Sequence, residues 1–351
     1  MLKRYAQARK DRRDGSTKPA SPMEYFLGVD GGASSTTCAL CDREGRILGI
    51  GRGGPSNHIL APGGEARARA AVLAAVEAAE AGAGLGRTEF EAAQFGMTGI
   101  NRGAEPAQAF ATIVSTLLVA RIVQIDNDAA VALAGALACR PGAIVIAGTG
   151  SVAYGRDPMG QEAKTGGWGY LFGDEGSGFA LGLGGVRAAL RAQDGVGPQT
   201  VLVSLIPQRF GGALAEIPLA FYEGRVQRDQ IAALAPAVTD AAAGGDAVAL
   251  SLVGEAASGL AAMAAAVINR LTWPDGTVAL GPVGGVFKAG PVLLNRLRTA
   301  IAALVPGAVI VPPRFAPAVG ALLLALRAAG VPHAPERLAL LAATWELRGG
   351  A

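Results

Sequence analysis

The sequence predicts an α/β protein built from two related lobes with a cleft between them. Three observations lead to this prediction. At 351 residues the chain is longer than one ordinary domain. Apolar strand-like runs alternate with helical patterns after residue 25, which is typical of a largely parallel sheet. A pattern of strand, glycine turn and strand also occurs twice, at 26–32 and again at 144–150.

The elements of the first lobe follow one another in a simple order. Three strands, a helix, a strand, a helix and a strand are predicted at 25–29, 37–40, 46–50, 64–81, 90–97, 106–117 and 120–125. A further helix at 129–139 begins directly after Asp126, Asn127 and Asp128. The first turn, 30–36, combines an acid with glycines and hydroxyls, and the chain contains no Walker lysine motif. This turn therefore predicts a phosphate-binding hairpin that is not a P-loop.

The second lobe repeats the opening pattern. A strand at 143–147, a turn at 148–151 and a return strand at 152–154 form a second predicted hairpin. Further helices are predicted at 178–193, 199–206, 228–243, 246–270, 291–304, 318–329 and 336–347, and strands at 278–280 and 308–311. Two such hairpins on separate lobes would face each other across a cleft. We expect them to hold one polyphosphate between them.

These patterns predict the domain boundaries and the character of the N-terminus. We expect a disordered basic extension at 1–24, lobes at 25–128 and 129–317, and C-terminal helices at 318–351, the first returning toward the N-terminal lobe. Residues 1–24 hold seven Lys or Arg and three Asp or Glu, so the remaining residues carry a net charge of −1. The basic character therefore indicates a tail and not a nucleic-acid-binding face. An RNA- or membrane-binding arm is the less favoured alternative.

The three cysteines and the hydropathy of the chain indicate a cytoplasmic protein. Cys38, Cys41 and Cys139 fit a reducing compartment better than a disulfide framework. Cys38 and Cys41 are three residues apart in a predicted strand, where they point to opposite faces, and no second CxxC completes a zinc site. We expect buried, unreactive thiols. The N-terminus has no apolar signal-peptide core, and no run of about 18 uncharged apolar residues predicts a membrane span.

The most glycine-rich part of the chain lies between residues 148 and 178. Here GTGS is followed by GGWG at 166–169 and GDEGSG at 173–178, and the last group leads into the predicted helix at 178–193. A helix N-terminus favours anions, and an acidic residue there can also cap the helix. Glycines this dense around two acids and a tryptophan predict a ligand cleft.

Five segments in this order resemble a known family: GVDGGASST, NDAA, IAGTGS, GGWGYLFGDEGSG and VGGVFKAG. They are similar to the N-acetylglucosamine kinase branch of the BadF-type (BadF/BadG/BcrA/BcrD) ATPases, within the sugar kinase–Hsp70–actin superfamily. The resemblance spans about residues 25–330. It implies two actin-like, ribonuclease H-like lobes with an interlobe cleft. It also implies transfer of phosphate from ATP, with Mg²⁺, to the 6-hydroxyl of an amino sugar, with N-acetylglucosamine favoured.

The resemblance also implies roles for single residues. Asp128 matches the catalytic base and Asp30 the acid that holds Mg²⁺. The implied ATP-binding residues are Gly31, Gly32, Ser34, Thr36, Thr149, Gly150, Gly284, Gly285 and Val286. The implied sugar-pocket residues are Asn57, Thr98, Trp168 and Asp174. Asp126 competes with Asp128 on geometry alone, since residues two apart at a strand end face the same way. Each sugar-pocket residue also has a structural interpretation, such as a helix cap for Asp174.

Several alternatives stay open. The sugar could be glucosamine or N-acetylmuramate, which differ from N-acetylglucosamine only around carbons 2 and 3. The chain could instead be an ATPase activator of a CoA-thioester dehydratase, although that function needs thiolates at a subunit interface. A non-catalytic sugar sensor is a third alternative, but such a protein would not need both Asp30 and Asp128. The predicted partner is a small amino sugar, not nucleic acid or a membrane, and apolar helix faces leave a homodimer open.

Overall fold

The computed structural model describes residues 24–100 and 104–350. The predicted basic extension therefore lies outside the described residues, apart from Glu24. The described residues form two five-stranded sheets, which have the same strand order. In each, an antiparallel three-stranded meander is extended on its first strand by two parallel strands. The repeat seen in the sequence is thus a repeat of architecture.

The N-terminal sheet has the order β3-β2-β1-β4-β5. Its strands are β1 (Tyr25–Gly31), β2 (Thr36–Asp42), β3 (Ile47–Gly53), β4 (Glu89–Met97) and β5 (Val119–Asn127). Helix α1 (Gly64–Gly82) connects β3 to β4, and α2 (Glu105–Leu117) precedes β5. Since β1, β4 and β5 are parallel, their carboxyl ends meet at one edge of the sheet.

The C-terminal sheet has the order β8-β7-β6-β9-β10. Its strands are β6 (Gly142–Ala147), β7 (Ser151–Arg156), β8 (Glu162–Gly166), β9 (Val278–Val283) and β10 (Ala308–Ile310). The helices of this part are α3 (Asp128–Ala136), α4 (Gly178–Gln193), α5 (Leu202–Phe210), α6 (Glu216–Tyr222), α7 (Arg228–Ala232), α8 (Ala235–Ala243), α9 (Ala247–Ile268) and α10 (Pro291–Leu304). A 3₁₀ helix, Gly285–Ala289, follows β9. The chain ends with α11 (Pro317–Ala328) and α12 (Pro335–Leu347).

Small residues let the backbones approach closely where the lobes join. Helix α11 packs on β1 of the N-terminal sheet and crosses α3. A Cβ added to Gly320 would lie 2.0 Å from the Val131 carbonyl oxygen, and one added to Gly28 would lie 2.4 Å from the Leu322 nitrogen. Both contacts need glycine because a methyl group would overlap backbone atoms. The boundaries at 128/129 and 317/318 stay predictions.

The structure departs from the predicted elements in a few places. Strand β8 and helix α6 were not predicted. The single helix expected at 228–243 is divided into α7 and α8, since Pro236 lies in the first turn of α8 and cannot continue a preceding helix. Within the described residues, α9 is long and apolar enough to cross a membrane despite Glu255. However, 56% of its most apolar 18-residue stretch is buried in the protein, as in the core helix of a globular protein.

The cysteines lie where the strand pattern predicted. Cys38 and Cys41 are fully buried in β2. Cys38 belongs to the apolar cluster under α1, and Cys41 belongs to the cluster on the opposite face with α11. Burial raises the pKa of both thiols, and it raises the pKa of the half-buried Cys139 to about 11. The prediction that Cys38 and Cys41 are buried on opposite faces is confirmed.

Candidate active site

The first glycine turn connects β1 to β2 and is held from both sides. The Gly32 N–H donates to the Ser35 carbonyl at 2.8 Å, which closes the turn. Thr36 is fully buried, and its hydroxyl donates to the Gly54 carbonyl at 2.9 Å. The side chain of Thr36 therefore fixes the turn to the end of β3. Ser34, by contrast, is exposed at the tip.

Thr98 connects this turn to Asp128. The Thr98 N–H donates to the Gly31 carbonyl at 2.8 Å, and its hydroxyl donates to Asp128 Oδ2 at 2.5 Å. The second oxygen, Oδ1, accepts the Ala129 N–H at 2.9 Å. Asn127 caps α3 by accepting the Ala130 N–H, so Asp128 is the first helical residue. These contacts hold the half-buried Asp128 carboxylate at the edge where β1, β4 and β5 end.

Asp30 lies close enough to Asp128 for the two carboxylates to interact electrostatically. It lies at the end of β1 beside Gly31. Burial, and then the negative charge of Asp128, raise the pKa of Asp30 to about 7. A cation near Asp30 would stabilise its charged form and so oppose both effects. Among the described residues no group of three or more His, Cys, Asp or Glu could cage a metal. This donor set fits Mg²⁺, which proteins bind through one or two carboxylates together with phosphate and water.

The competing acid, Asp126, has a different environment. It is 3% exposed, and its Oδ1 accepts the Asn127 N–H at 2.9 Å. Asp126 is therefore buried at the end of β5, whereas Asp128 is half-buried at the start of α3, because the chain turns from strand to helix between them.

The second glycine turn connects β6 to β7 and is fixed by the segment that follows β8. The N–H of Gly178, the first residue of α4, donates to the Gly148 carbonyl at 2.7 Å. The Ser151 hydroxyl donates to the Glu175 carbonyl at 2.7 Å, and the Ser151 N–H donates to Asp174 Oδ1 at 3.1 Å. The GDEGSG segment thus forms a strap behind the GTGS turn.

The two turns meet across the cleft. Ser34 Oγ lies 3.3 Å from Thr149 Oγ1, although the residues are 115 positions apart. The turn after β9 lies beside them: Gly284 has a φ of 113°, and a Cβ there would be 2.4 Å from the Ala147 carbonyl oxygen. Gly284 and Gly285 are exposed, whereas the Val286 side chain is buried in the core. The structure therefore brings together all three predicted ATP-binding segments.

Comparison with known proteins identifies the family. The model of the BadF/BadG/BcrA/BcrD ATPase family matches residues 27–325. The chain belongs to this family. A relative from Clostridium acetobutylicum named N-acetylmuramic acid/N-acetylglucosamine kinase is 32% identical over 86% of this chain and 98% of its own length. A glucosamine kinase from Vibrio cholerae is 30% identical over 67% of this chain and 78% of its own length.

A solved structure gives the same result for the fold. The crystal structure of a Chromobacterium violaceum protein, described provisionally as an N-acetylglucosamine kinase, has a TM-score of 0.72 and 30% sequence identity. The alignment covers 87% of this chain and all of that one. The predicted fold class and the predicted family are therefore confirmed.

The remaining predicted residues of this BadF-type ATPase, Asn57, Trp168 and Asp174, lie on three separate segments. Trp168 is 78% exposed in the segment after β8. Asn57 is half-buried, and its carbonyl accepts a hydrogen bond from Arg67 Nη2 at 2.7 Å. Asp174 is 3% exposed, with a φ of 65°. Its carboxylate faces the second glycine turn.

Sequence reasoning missed one charged residue next to this turn. Arg228 Nη2 donates to Asp174 Oδ2 at 3.0 Å. The two residues are 54 positions apart, and Arg228 belongs to no recognisable motif, so no sequence signal could have identified it. A cavity of about 1110 Å³ lies behind the same segment, between α4, α6 and α9, and does not include Asp128.

Proposed function

We propose that this protein is an ATP-dependent kinase that phosphorylates the 6-hydroxyl of an amino sugar, with N-acetylglucosamine favoured. The observation that carries the proposal is the position of Asp128. Its carboxylate is held by Thr98 at the start of α3, on the edge of the sheet that also carries Asp30 and the first glycine turn. Family membership and the names of the relatives support the same function.

Transfer would proceed by direct attack of the sugar on the terminal phosphate. The 6-hydroxyl oxygen forms a bond to the γ-phosphorus, and the bond from that phosphorus to the bridging oxygen breaks. The bonding electrons leave with ADP. Asp128 accepts the hydroxyl proton as the new bond forms. The Thr98 hydroxyl and the Ala129 N–H fix the carboxylate in place, so that little reorganisation is needed during reaction.

The two glycine turns would hold the triphosphate. Phosphoryl transfer depends mainly on positioning and on stabilising charge, which turn N–H groups and hydroxyls provide. We propose that Gly31, Gly32 and Ser34 act from one side and Thr149 and Gly150 from the other, with Gly284, Gly285 and the Val286 backbone at the adenosine. Since the Thr36 hydroxyl is used on Gly54, we propose that Thr36 supports the turn from behind.

Asp30 would hold the magnesium ion. When bound, Mg²⁺ neutralises charge on the phosphate oxygens. Asp30 contributes a carboxylate at the end of β1, which we propose acts through a bound water.

The sugar would lie against the polar residues beside Asp128. We propose that Asn57, Thr98 and Trp168 line its pocket. Exposed Trp168 offers a ring face, and Thr98 couples the pocket to Asp128. Asp174 is 3% exposed, and its two carboxylate oxygens accept hydrogen bonds from the Ser151 N–H and from Arg228, so we propose that it supports the second glycine turn instead.

The test is ADP formation from ATP with and without a panel of sugars. We expect ADP only when sugar is present, fastest with N-acetylglucosamine, and slower with N-acetylmuramate and glucosamine. Equal ADP formation without sugar would support the dehydratase activator, and no ADP at all would support a sensor. The burial of Cys38 and Cys41 disfavours the activator, because these thiols cannot reach a subunit interface.

We also make proposals on the cellular location of the protein and on its oligomeric state. We propose a cytoplasmic enzyme that acts on a small molecule. A homodimer would use exposed apolar side chains, of which Leu171, Phe172 and Tyr222 are 70%, 83% and 88% exposed. Sedimentation of the protein with and without Tyr222→Ser tests this.

A further inference from the structure

Asp174 is held in an unusual conformation against the second glycine turn. It is 3% exposed and has a φ of 65°, a region that non-glycine residues rarely adopt. Oδ1 accepts the Ser151 N–H, and a Cβ added to Gly150 would lie 2.9 Å from the same oxygen. The carboxylate therefore packs directly on the backbone of this turn. Whatever fixes Asp174 also fixes Gly150.

One partner of that carboxylate comes from outside the glycine segments. Arg228, at the start of α7, donates to Asp174 Oδ2 at 3.0 Å. Its guanidinium carbon lies 4.5 Å from the centre of the Tyr170 ring and 5.7 Å from that of Phe179. The two rings are themselves packed edge to face, with centroids 5.0 Å apart. The aromatic pair therefore fixes the direction from which the positive charge approaches Asp174.

A buried carboxylate without its cation is strongly unfavourable. In the absence of Arg228, the Asp174 carboxylate would turn away from the second glycine turn toward solvent. This change weakens its contact with the Ser151 N–H. The loss would appear at the GTGS turn, which Arg228 itself does not contact in any described hydrogen bond.

We propose that Arg228 is a positioning residue for nucleotide binding. Through Asp174, it keeps the turn at Thr149–Ser151 in the conformation that receives the phosphates of ATP. This inference rests on the proposed assignment of that turn to the nucleotide. It predicts that α7, far away in sequence, determines nucleotide affinity while leaving the base, Asp128, untouched.

The experiment compares four proteins: the parent, Arg228→Gln, Arg228→Lys and Arg225→Gln. Arg225 is a matched control. It lies only three residues before Arg228, is exposed, and pairs with Glu223. The readout is the Kd for N-methylanthraniloyl-ATP, measured by fluorescence without any sugar. We expect the Arg228→Gln change to raise this Kd by about 10- to 100-fold, as a misplaced binding loop would. The Arg228→Lys protein keeps the charge but loses the planar guanidinium that stacks on Tyr170 and Phe179, so its Kd is expected to lie between those of the parent and the Arg228→Gln protein.

A second measurement separates positioning from general destabilisation. In steady-state assays, the Arg228→Gln change should raise KM for ATP and leave KM for the sugar unchanged. In an Asp174→Asn background, the same change should have little further effect, since the two residues act as one unit. This double variant also contains no unpaired buried charge, so it serves if the single variant does not fold.

The outcomes are distinct. An unchanged nucleotide Kd in the Arg228→Gln protein, an equal loss in the Arg225→Gln control, or a full loss in the Asp174→Asn background would overturn the proposal. Since the Kd is measured without sugar, the result does not depend on which sugar is phosphorylated. A parent that binds nucleotide but does not phosphorylate any sugar would contradict the proposed function and leave this inference standing.

Discussion

The two lobes share one sheet topology but hold their glycine turns in different ways. In the N-terminal lobe the turn after β1 is fixed by its own sheet, through Thr36 to Gly54 and through Thr98 to Gly31. In the C-terminal lobe the turn after β6 is fixed from outside the sheet, by the strap at 173–178. The first turn is therefore fixed by segments of its own sheet, and the second depends on a neighbouring segment.

Corresponding positions also carry different chemistry. Strand β4 is followed by Thr98, which binds Asp128, whereas the equivalent strand β9 is followed by Gly284. The acids lie at the ends of β1 and β5, and the C-terminal sheet has Gly148 after the strand equivalent to β1. Under the proposed function, the base and the metal-binding acid both belong to the N-terminal lobe. The two lobes share the nucleotide, because each contributes a glycine turn.

The largest expected effect tests the chemical half of this comparison. The Asp128→Asn change keeps the shape of the side chain but removes the proton acceptor. We expect kcat to fall by roughly 10²-fold or more, with both KM values nearly unchanged. The control is Asp194→Asn, the same change at an exposed position after α4. A kcat near that of the parent would exclude Asp128 as the base.

The next effect concerns the metal. The Asp30→Asn change should raise the Mg²⁺ concentration for half-maximal activity by about 10- to 100-fold, because a ligand acting through water is removed. At saturating Mg²⁺ much of the activity should return. Measuring initial rates across a Mg²⁺ series checks this. An unchanged Mg²⁺ requirement would show that Asp30 does not hold the ion.

The third effect isolates the contact between Thr98 and Asp128. The Thr98→Val change removes one hydrogen bond to a charged group, which is worth about 1.5–3 kcal/mol. We expect kcat to fall by about tenfold or more, while the Kd for nucleotide stays constant. If the loss appeared in nucleotide affinity instead, Thr98 would belong functionally to the turn and not to the base.

The smallest effect concerns the equivalent position in the other lobe. A methyl group at Gly284 would meet the Ala147 carbonyl, and the residue's φ of 113° disfavours any side chain. Because this overlap forces the turn to shift, we expect the Gly284→Ala change to raise KM for ATP by about fivefold or more, with kcat little changed. The matched control is Gly254→Ala in α9, where the added methyl has open space. A fall in kcat at constant KM would contradict the division between the lobes.

The sequence predicted most of the framework because its signals are local. Apolar runs that end in glycine turns define both hairpins, and helix α4 was predicted with its observed bounds. Strand β8 was missed because its sequence, EAKTG, is largely polar and lies at the edge of its sheet. Proline at position 236 was present in the sequence, but the break it causes was not predicted.

The site was predicted as a set of residues and not as a geometry. Motifs place Asp30, Asp128 and the glycine turns near one another, and the structure brings them to one cleft. The inward direction of the Thr36 hydroxyl depends on Gly54, and the partner of Asp174 depends on the packing of α7. Such contacts join distant segments, so a single sequence contains no pattern from which to predict them.

The most direct test of the account is the identity of the phosphorylated product. Phosphorus NMR of the protein with ATP, Mg²⁺ and N-acetylglucosamine would distinguish a sugar phosphomonoester from inorganic phosphate, and the 6-deoxy sugar serves as the control. We predict a 6-phosphomonoester formed in equal amount to ADP, with no transfer to the 6-deoxy sugar and little free phosphate. Inorganic phosphate released at the same rate with either sugar would contradict the assignment of this cleft to phosphoryl transfer onto an amino sugar.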